Sequence, residues 1–542
     1  MLDFIIKGGK IIDGTGNPWF RGDVGVQGGR IALTGDLRGV PSRRTITADG
    51  LVVAPGFIDM HTHSDLTLLA NPRAESSIRQ GITTEVVCSC GLGPAPATDE
   101  SVPLLKDSIA FVPDGLDWSW RTFDDFLNTY AKNGGTSTNV VPLVPQGAIR
   151  IAAMGFDNRK PTGAELAYMK SLVAQAMDVS GWGFATGLIY TPGKFAETDE
   201  LVELAKEAAV RGGIYVSHIR GEGETLIDAV AEAIEIGRRA RLPVHISHHK
   251  ASGKKHWGKV ETTLHMMEEA RKEGLDVTCE VYPYVAGSTS LTTLLASWAH
   301  EGGIRALVER LENPDLRQRL KREMREGLPG WENMAVADGW DNLLIAWVKS
   351  GRRPDIEGRS IADLARAEGK DPEDFVMDLL ISEKDVAAFD CVYLVVFSMD
   401  EEDVKTVMRH PLCMIGSDGR AVAPYGVLRR GKPHPRYYGT FPRVLAKYVR
   451  EDTVLTLEEA VRKMTSAPAQ RLGLKDRGLL REGLRADIVV FDPERVQDTA
   501  TFQDPHQYPK GIPYVVVNGE VTIEESEHTG ARAGIVLRKN RL

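Results

Sequence analysis

The sequence predicts an α/β fold: a (β/α)8 barrel of the TIM type, with a small β-sandwich-like domain and an inserted lid segment. From residue 51 to about 420, apolar strand-like runs alternate with helix-like stretches, and there are eight such runs. This alternation is typical of a parallel sheet, and eight strand–helix units close into a barrel. β-rich stretches of similar texture lie at both ends of the chain, which adds the small domain to the prediction.

The bulk composition is that of a soluble globular protein. The 542 residues, 42% hydrophobic and 26% charged, suffice for one large and one smaller domain. A net charge of −9 argues against a nucleic-acid partner, and five cysteines are too few for a disulfide scaffold. The opening MLDFIIKGGKIIDGTG is no signal peptide, and no run approaches the ~18 apolar residues of a membrane span. We therefore expect a cytoplasmic protein with neither a nucleic-acid nor a membrane partner.

Short strands separated by glycine turns mark both ends of the chain. Gly8-Gly9 and Gly28-Gly29 are hairpin signals, and the runs ADIVVFDP and PYVVVNGEVT repeat the pattern near the other end. We predict that residues 1–54 and 480–542 together form the small β-domain and that residues 55–479 form the barrel. The alternative is two unrelated β segments.

The spacing of polar residues after the strands supports the barrel and locates the insertion. His248 follows His218, and Tyr282 follows His248, by about one strand–helix unit each. Asp418 follows Tyr282 after a much longer interval, so an inserted, lid-like segment is predicted at about 286–350. Its pieces GGIRALVERLE and DLRQRLKREMREG are charged and amphipathic.

The first barrel strand ends in His61-Thr62-His63, within the run LVVAPGFIDMHTHSD. Alternate side chains of an extended chain lie on one face, so both imidazoles point the same way. Two imidazoles on one side of a strand end make half of a metal site. The alternative is a polar strand end with two solvated histidines.

Further polar residues follow the other strands, at the end of the barrel where active sites lie. With the first pair they are His61, His63, Cys90, Tyr190, His218, Arg220, His248, Lys250, Tyr282 and Asp418. Imidazole, thiolate and carboxylate converging on one mouth suit zinc. His249 has the opposite parity to its neighbours and is expected to face away from the barrel axis. Cys88 shares a face with Cys90, but Cys90 is nearer the strand end.

Several motifs, in order, resemble the amidohydrolase superfamily and within it the D-aminoacylase (N-acyl-D-amino-acid deacylase) family. They are PGFIDMHTHSD, GITTEVVCSCG, GLIYTPG, VSHIR, ISHHK, VYPYVAGST, MIGSDG and HPRYYGTFPRVL. The resemblance runs nearly end to end. It implies a (β/α)8 barrel, a small β-domain from both termini and a lid-like insertion, in agreement with the pattern of the chain.

The resemblance also implies a zinc site. The residues that match the tight zinc ligands are Cys90, His218 and His248, while His61 and His63 match a second, weaker metal position. Many relatives bridge two metals with a carboxylated lysine after the fourth strand. Here GFATGLIYTPG offers no lysine before Lys194, which favours a cysteine bridge and leaves the number of metals open.

Other matched residues imply a substrate site. The resemblance assigns the substrate carboxylate and the scissile carbonyl to Lys250, Tyr282, Ser288 and Arg436, and a further substrate contact to Tyr190. The stretch RAVAPYGVLRRGKPH, before Arg436, is several residues longer than the family pattern. We expect a small-molecule N-acyl amino acid as the substrate.

The predicted chemistry is zinc-dependent hydrolysis of N-acyl-D-amino acids. Asp418 would shuttle the proton and Tyr282 would donate a hydrogen bond to the developing oxyanion. For Asp418 the alternative is a helix cap or turn residue. For the whole chain, the alternatives are a related amidohydrolase that acts on a cyclic amide (hydantoin or dihydropyrimidine) or a dipeptide, and a non-catalytic barrel used for binding.

Overall fold

The computed structural model describes residues 1–109, 115–386 and 388–539. Its centre is a ring of eight parallel strands, as predicted. They are Phe57–Asp59, Ile82–Val87, Asn139–Pro142 with its continuation Val144–Pro145, Gly183–Gly187, Ile214–His218, Val244–Ile246, Val277–Val281 and Cys413–Ile415. Nearly every residue in these strands is buried, which explains why they read as continuous apolar runs.

The ring closes between its first and last strands. Thr62 and Gly419 form a parallel bridge, the His63 amide donates to the Gly419 carbonyl at 2.8 Å, and the Asp418 amide donates to the His61 carbonyl at 2.9 Å. Closure therefore occurs just past the strand ends, and it brings His61, His63 and Asp418 together.

Helices cover the outside of the ring. Among them are Glu75–Ile78, Phe123–Lys132, Gln146–Met154, Gly163–Val179, Thr198–Ala209, Leu226–Ala240, Lys259–Lys272 and Glu401–Arg409. Others are Thr67–Ala70, Ser101–Ser108, Arg436–Arg443, which continues as a π-helix over Val444–Glu451, Leu457–Met464 and Ser466–Leu472. The longest, Gly163–Val179, begins at a capping box in which Thr162 accepts from the Glu165 amide and Glu165 accepts in return. None of the helices in the described ranges is long and apolar enough to cross a membrane.

Segments from both ends of the chain share one sheet. Its strands are Phe4–Ile11, Phe20–Gln27, Arg30–Gly35, Thr45–Thr47, Val52–Pro55, Ile488–Phe491, Tyr514–Val517, Glu520–Glu524 and Glu527–His528. The ends meet where Val53 pairs with Val490 in an antiparallel register. Phe4, Val26 and Val516 belong to a separate buried cluster beneath this sheet. The division at residues 54 and 480 stays a prediction.

The chain between the seventh and eighth barrel strands is longer than the predicted insertion of about 286–350. A three-stranded antiparallel sheet pairs Ala286–Ser290 with Val392–Phe397 and the latter with Leu343–Val348. The helices of this segment are Ile304–Glu312, Pro314–Glu326, Met334–Asp338, Ile361–Glu368 and Pro372–Ser382. Val392–Phe397, the last of the three along the chain, is the middle strand of the sheet, so it belongs to the same insertion as the other two.

Candidate metal centre and its cavity

Four imidazoles surround the sulfur of Cys90. They belong to His61, His63, His218 and His248. The distances from Cys90 Sγ are 3.2 Å to His61 Nε2, 3.6 Å to His218 Nδ1 and 3.6 Å to His248 Nε2. His61, His63 and Cys90 also offer ligand atoms within 4.8 Å of one another. The structure thus brings together all five residues that the sequence predicted as metal ligands.

The spacing of Cys90, His218 and His248 fits a tetrahedral zinc ion. Zinc–sulfur bonds of ~2.3 Å and zinc–nitrogen bonds of ~2.0–2.1 Å, at a tetrahedral angle, place sulfur and nitrogen about 3.6 Å apart. The two observed separations are both 3.6 Å. Three protein ligands would leave one position for water or substrate.

Backbone conformation aims several of these groups. Cys90, His248 and Asp418 all have positive φ, at 53°, 33° and 49°. Non-glycine residues in this region cost about 1–3 kcal/mol each and persist where the surrounding structure enforces them. At Cys90 the turn follows the strand Ile82–Val87 directly, which directs the sulfur into the ring rather than along the strand.

The charges of the cluster favour a cation. Burial raises the pKa of the Cys90 thiol, but the surrounding histidines outweigh it and hold that pKa well below its usual range. Burial lowers the pKa of His248, yet Glu222 and Cys90 raise it overall to about 9. Buried anionic groups therefore stabilise positive charge on the histidines. A divalent ion at the same place would be stabilised for the same reason.

Asp418 lies against both histidines of the first strand. Its Oδ1 is 3.1 Å from His63 Nε2 and 3.6 Å from His61 Nε2, and its Oδ2 is 2.8 Å from Arg436 Nη2. Burial raises the pKa of Asp418, but Arg436 and His61 outweigh it and hold the pKa well below its usual range. The carboxylate is consequently ionised and faces the metal cluster.

Two buried glutamates that the sequence reading missed orient the imidazoles. His61 Nδ1 donates to Glu280 at 2.7 Å, and His248 Nδ1 lies 2.9 Å from Glu222. Each contact leaves the Nε2 atom of its histidine directed at Cys90, which is how outer carboxylates fix metal-ligating imidazoles. A signal existed for Glu280, which is a carboxylate inside an apolar strand and shares the parity of Tyr282.

The predicted substrate residues line the same mouth. Arg436 Cζ and Lys250 Nζ lie 4.8 Å and 5.6 Å from the Tyr282 ring. Tyr190 Oη is 3.2 Å from Thr289 Oγ1, and Ser288 Oγ donates to the Leu394 carbonyl at 2.7 Å. Arg436 Nε and Nη1 are buried and find no acceptor among the described residues. They are therefore donors that a bound anion could satisfy.

Three neighbours lie outside the site. His249 Nε2 is 2.9 Å from Thr263 Oγ1 on the outer helix Lys259–Lys272, as its parity predicted. Arg220 turns away to pair with Glu232 at 2.8 Å. Lys194 Nζ points to the Arg220 and Gly330 carbonyls, so the fourth strand brings no lysine to the metal cluster.

A cavity lined in part by His63 and Asp418 adjoins the metal cluster. Arg420, from the stretch that is longer than the family pattern, forms part of its wall together with Tyr393. Tyr393 and Asp390 both belong to the insertion, so part of the lining comes from outside the barrel strands.

The chain resembles known proteins over almost its whole length. Residues 44–523 match the family described as the amidohydrolase family. A D-aminoacylase from Alcaligenes xylosoxydans xylosoxydans is 36% identical over 99% of this chain and 98% of its own. The crystal structure of N-acyl-D-glutamate deacylase from Bordetella bronchiseptica, complexed with zinc and a phosphonate inhibitor, has a TM-score of 0.81 and 35% identity. It covers 99% of each chain.

A structure of a D-hydantoinase is more distant. It covers 99% of this chain and 98% of its own, but with a TM-score of 0.54 and 16% identity. At that identity the likeness concerns the fold alone.

Proposed function

Because the chain belongs to the amidohydrolase family, we propose that it is a zinc-dependent hydrolase that cleaves N-acyl-D-amino acids to a carboxylate and a free D-amino acid. The observation that carries this proposal is the position of Arg436. Its guanidinium contacts Asp418 through Nη2 and keeps two buried donors without an acceptor among the described residues. A site for an anion thus adjoins a metal cluster and an ionised carboxylate.

Cys90, His218 and His248 would hold the tight zinc ion, and His61, His63 and the Cys90 sulfur would form a second, weaker position. Zinc at the tight position would supply Lewis acidity to a carbonyl and activate water near neutral pH. A similar protein, the N-acyl-D-glutamate deacylase, was solved with zinc, which supports this choice of metal.

Asp418 would act as the proton shuttle. Its carboxylate is ionised and lies beside the metal cluster, so it can take a proton from the attacking water and pass it to the leaving amine. Arg436 holds Asp418 in place through Nη2 and would bind the substrate carboxylate through Nη1. An arginine can contact two anions in this way because its planar guanidinium holds its donors in fixed directions.

Tyr282 would complete the binding of the substrate. Lys250 Nζ contacts Glu222 Oε1, His248 Nδ1 and the His248 carbonyl, so it would reach the substrate carboxylate by exchanging one of these contacts. Burial lowers the pKa of Lys250, but Glu222 outweighs it and raises the pKa, so Lys250 stays protonated. Burial raises the pKa of Tyr282 to about 12, so its hydroxyl keeps its proton and can donate to the scissile carbonyl. Ser288 and Tyr190 line the cavity beside them. With carboxylate and carbonyl both anchored, one enantiomer places its side chain in the cavity.

A cyclic-amide or dipeptide substrate is the second candidate, and the site favours it less. Relatives with a bimetallic lysine bridge need a lysine at the fourth strand end, and here Lys194 is directed elsewhere.

All five cysteines are buried and form no disulfide in the described part of the chain, which supports the predicted cytoplasmic, reducing location.

A screen of amine release tests the function. Zinc-loaded protein should hydrolyse N-acetyl-D-amino acids, and it should leave the L enantiomers and acylated amines without a carboxylate largely intact. The protein with Asp418→Asn serves as the matched control for contaminating hydrolases. Comparable kcat/KM for D and L substrates would contradict the proposal.

A further inference from the structure

A buried carboxylate lines the cavity that adjoins the metal cluster. Asp390 is only 5% exposed, and its Oδ1 has no hydrogen-bond partner among the described residues. The chain there is fixed, because the preceding carbonyl, that of Phe389, accepts from Ser290 and from Thr292. A buried acceptor without a donor costs stability, so a ligand that offers a donor there would be stabilised.

The same cavity holds a guanidinium without a carboxylate partner. Arg420 donates to Tyr393 Oη at 2.7 Å, and its Cζ lies 4.8 Å from that ring. No carboxylate of the described ranges forms an ion pair with Arg420. Burial lowers the pKa of Arg420, but Tyr393, Tyr437 and Asp390 raise it overall, so Arg420 is charged. Arg420 and Asp390 line one cavity, which therefore offers strong donors and an unpaired acceptor.

We infer that this cavity selects a carboxamide side chain, so that the preferred substrates are N-acyl derivatives of D-glutamine and D-asparagine. The carboxamide oxygen would accept from Arg420, and its N–H2 group would donate to Asp390. The inference rests on the proposed function and adds the class of side chain. It assigns Arg420 and Asp390 as residues that determine specificity.

Other side chains complement Arg420 and Asp390 less well. An apolar side chain would exclude water and leave both groups without hydrogen-bond partners. Sites built to hydrogen-bond a substrate discriminate strongly against analogues that lack the bond. An acidic side chain would satisfy Arg420 but would face Asp390 as a second anion.

The protonation of Asp390 supplies an independent readout. Burial raises its pKa to about 6; Arg420 and Lys349 oppose the shift and Asp107 adds to it. At pH about 8 Asp390 is ionised and can only accept, which suits a carboxamide. As the pH falls through about 6, Asp390 gains a proton that it can donate to a carboxylate, so acidic substrates should gain relative to carboxamides.

The test measures kcat/KM of the zinc-loaded, full-length protein on N-acetyl-D-glutamine, -asparagine, -glutamate and -leucine at pH about 8. The carboxamides should exceed both other classes by at least about tenfold, the value of one hydrogen bond to a charged group. Asp390→Asn should raise the ratio of glutamate to glutamine activity by about tenfold or more, because its amide can donate to a carboxylate. Asp107→Asn is the control, since Asp107 lies nearby but does not line the cavity.

The outcomes distinguish a failure of this inference from a failure of the proposed function on which it rests. N-acetyl-D-leucine equal to or better than N-acetyl-D-glutamine would overturn the inference and leave the proposed function intact. No cleavage of any N-acetyl-D-amino acid would overturn both. If the Asp390 variant does not fold, the unmodified protein still decides, because a glutamate-to-glutamine ratio that stays constant from pH about 8 to 5.5 would contradict the assignment of Asp390.

Discussion

Arg436 Nη2 lies 2.8 Å from Asp418 Oδ2, and both side chains are buried beside the metal cluster. The contact holds the carboxylate ionised and leaves Arg436 Nε and Nη1 without an acceptor among the described residues. A single arginine therefore links the proton shuttle to the binding of the substrate, and changes at either residue should affect both properties.

Replacing the arginine should move the acid limb of the pH profile. Burial raises the pKa of Asp418 and Arg436 counteracts it, so Arg436→Met should raise that pKa. Asp418 would then be protonated, and unable to accept a proton, over a wider acidic range. The acid limb of kcat should shift to higher pH, and kcat/KM should fall by about 10–100-fold with the loss of charged hydrogen bonds.

Arg436→Lys is the matched control for that prediction, because it keeps the charge but loses the fork. In this variant the acid limb of kcat should return most of the way to its position in the unmodified protein, while kcat/KM stays low. An acid limb that does not move in Arg436→Met would show that another group sets it.

The choice between two neighbouring cysteines can be tested by metal content. Cys90→Ala should lower bound zinc and activity together, because it removes the sulfur that lies 3.6 Å from both His218 Nδ1 and His248 Nε2. Cys88→Ala is the control. Burial raises the pKa of the Cys88 thiol well above its usual value, which opposes formation of a thiolate there. Full zinc occupancy in the Cys90 variant, measured by elemental analysis, would remove that residue from the metal centre.

Much of this architecture could be predicted from the sequence, for physical reasons. The barrel strands are buried on both faces, so they read as apolar runs at regular spacing. Residues at their ends, such as His61 and Asp418, must then meet at one mouth. The resemblance to a known family supplied Ser288 and Arg436, which no periodicity could place.

The rest depends on contacts between distant segments. Glu222 and Glu280 act by orienting His248 and His61, and a sequence does not show which carboxylate meets which imidazole. Asp390 and Arg420 line one cavity, although the insertion supplies the first and the stretch after the eighth barrel strand supplies the second. The extent of that insertion was underestimated because its last strand, Val392–Phe397, lies between two earlier strands in the sheet.

The orienting role of Glu222 predicts a variant with weakened metal binding. Glu222 lies 2.9 Å from His248 Nδ1 and also pairs with Lys250. Glu222→Gln should lower zinc affinity by about 10–100-fold, as the loss of an outer carboxylate typically does. Glu224→Gln, two residues on, offers a control. Unchanged zinc affinity in a competition assay with a chelator would confine Glu222 to a structural role.

The insertion is expected to act as a lid. Glu332, within it, accepts from the Glu222 amide at 3.0 Å, so the insertion contacts the segment that orients His248. Gly302-Gly303 and the glycines at 327 and 330 all have positive φ and are predicted hinges. Limited proteolysis should cut the insertion first, and product should slow the cutting. Cleavage confined to the chain ends, unaffected by product, would indicate a rigid insertion.

The most direct test of the account concerns Asp418. Asp418→Asn keeps the shape of the side chain but cannot accept the proton, so kcat should fall by roughly 10³-fold or more, at the upper part of the range for a general base. Zinc at the tight position should stay bound, because Cys90, His218 and His248 are unchanged, and the acid limb should vanish from any residual activity. Measuring kcat and zinc content of this variant together decides the matter. Near-normal kcat with zinc bound would contradict the assignment of Asp418 as the proton shuttle, and loss of zinc along with activity would make it a ligand instead.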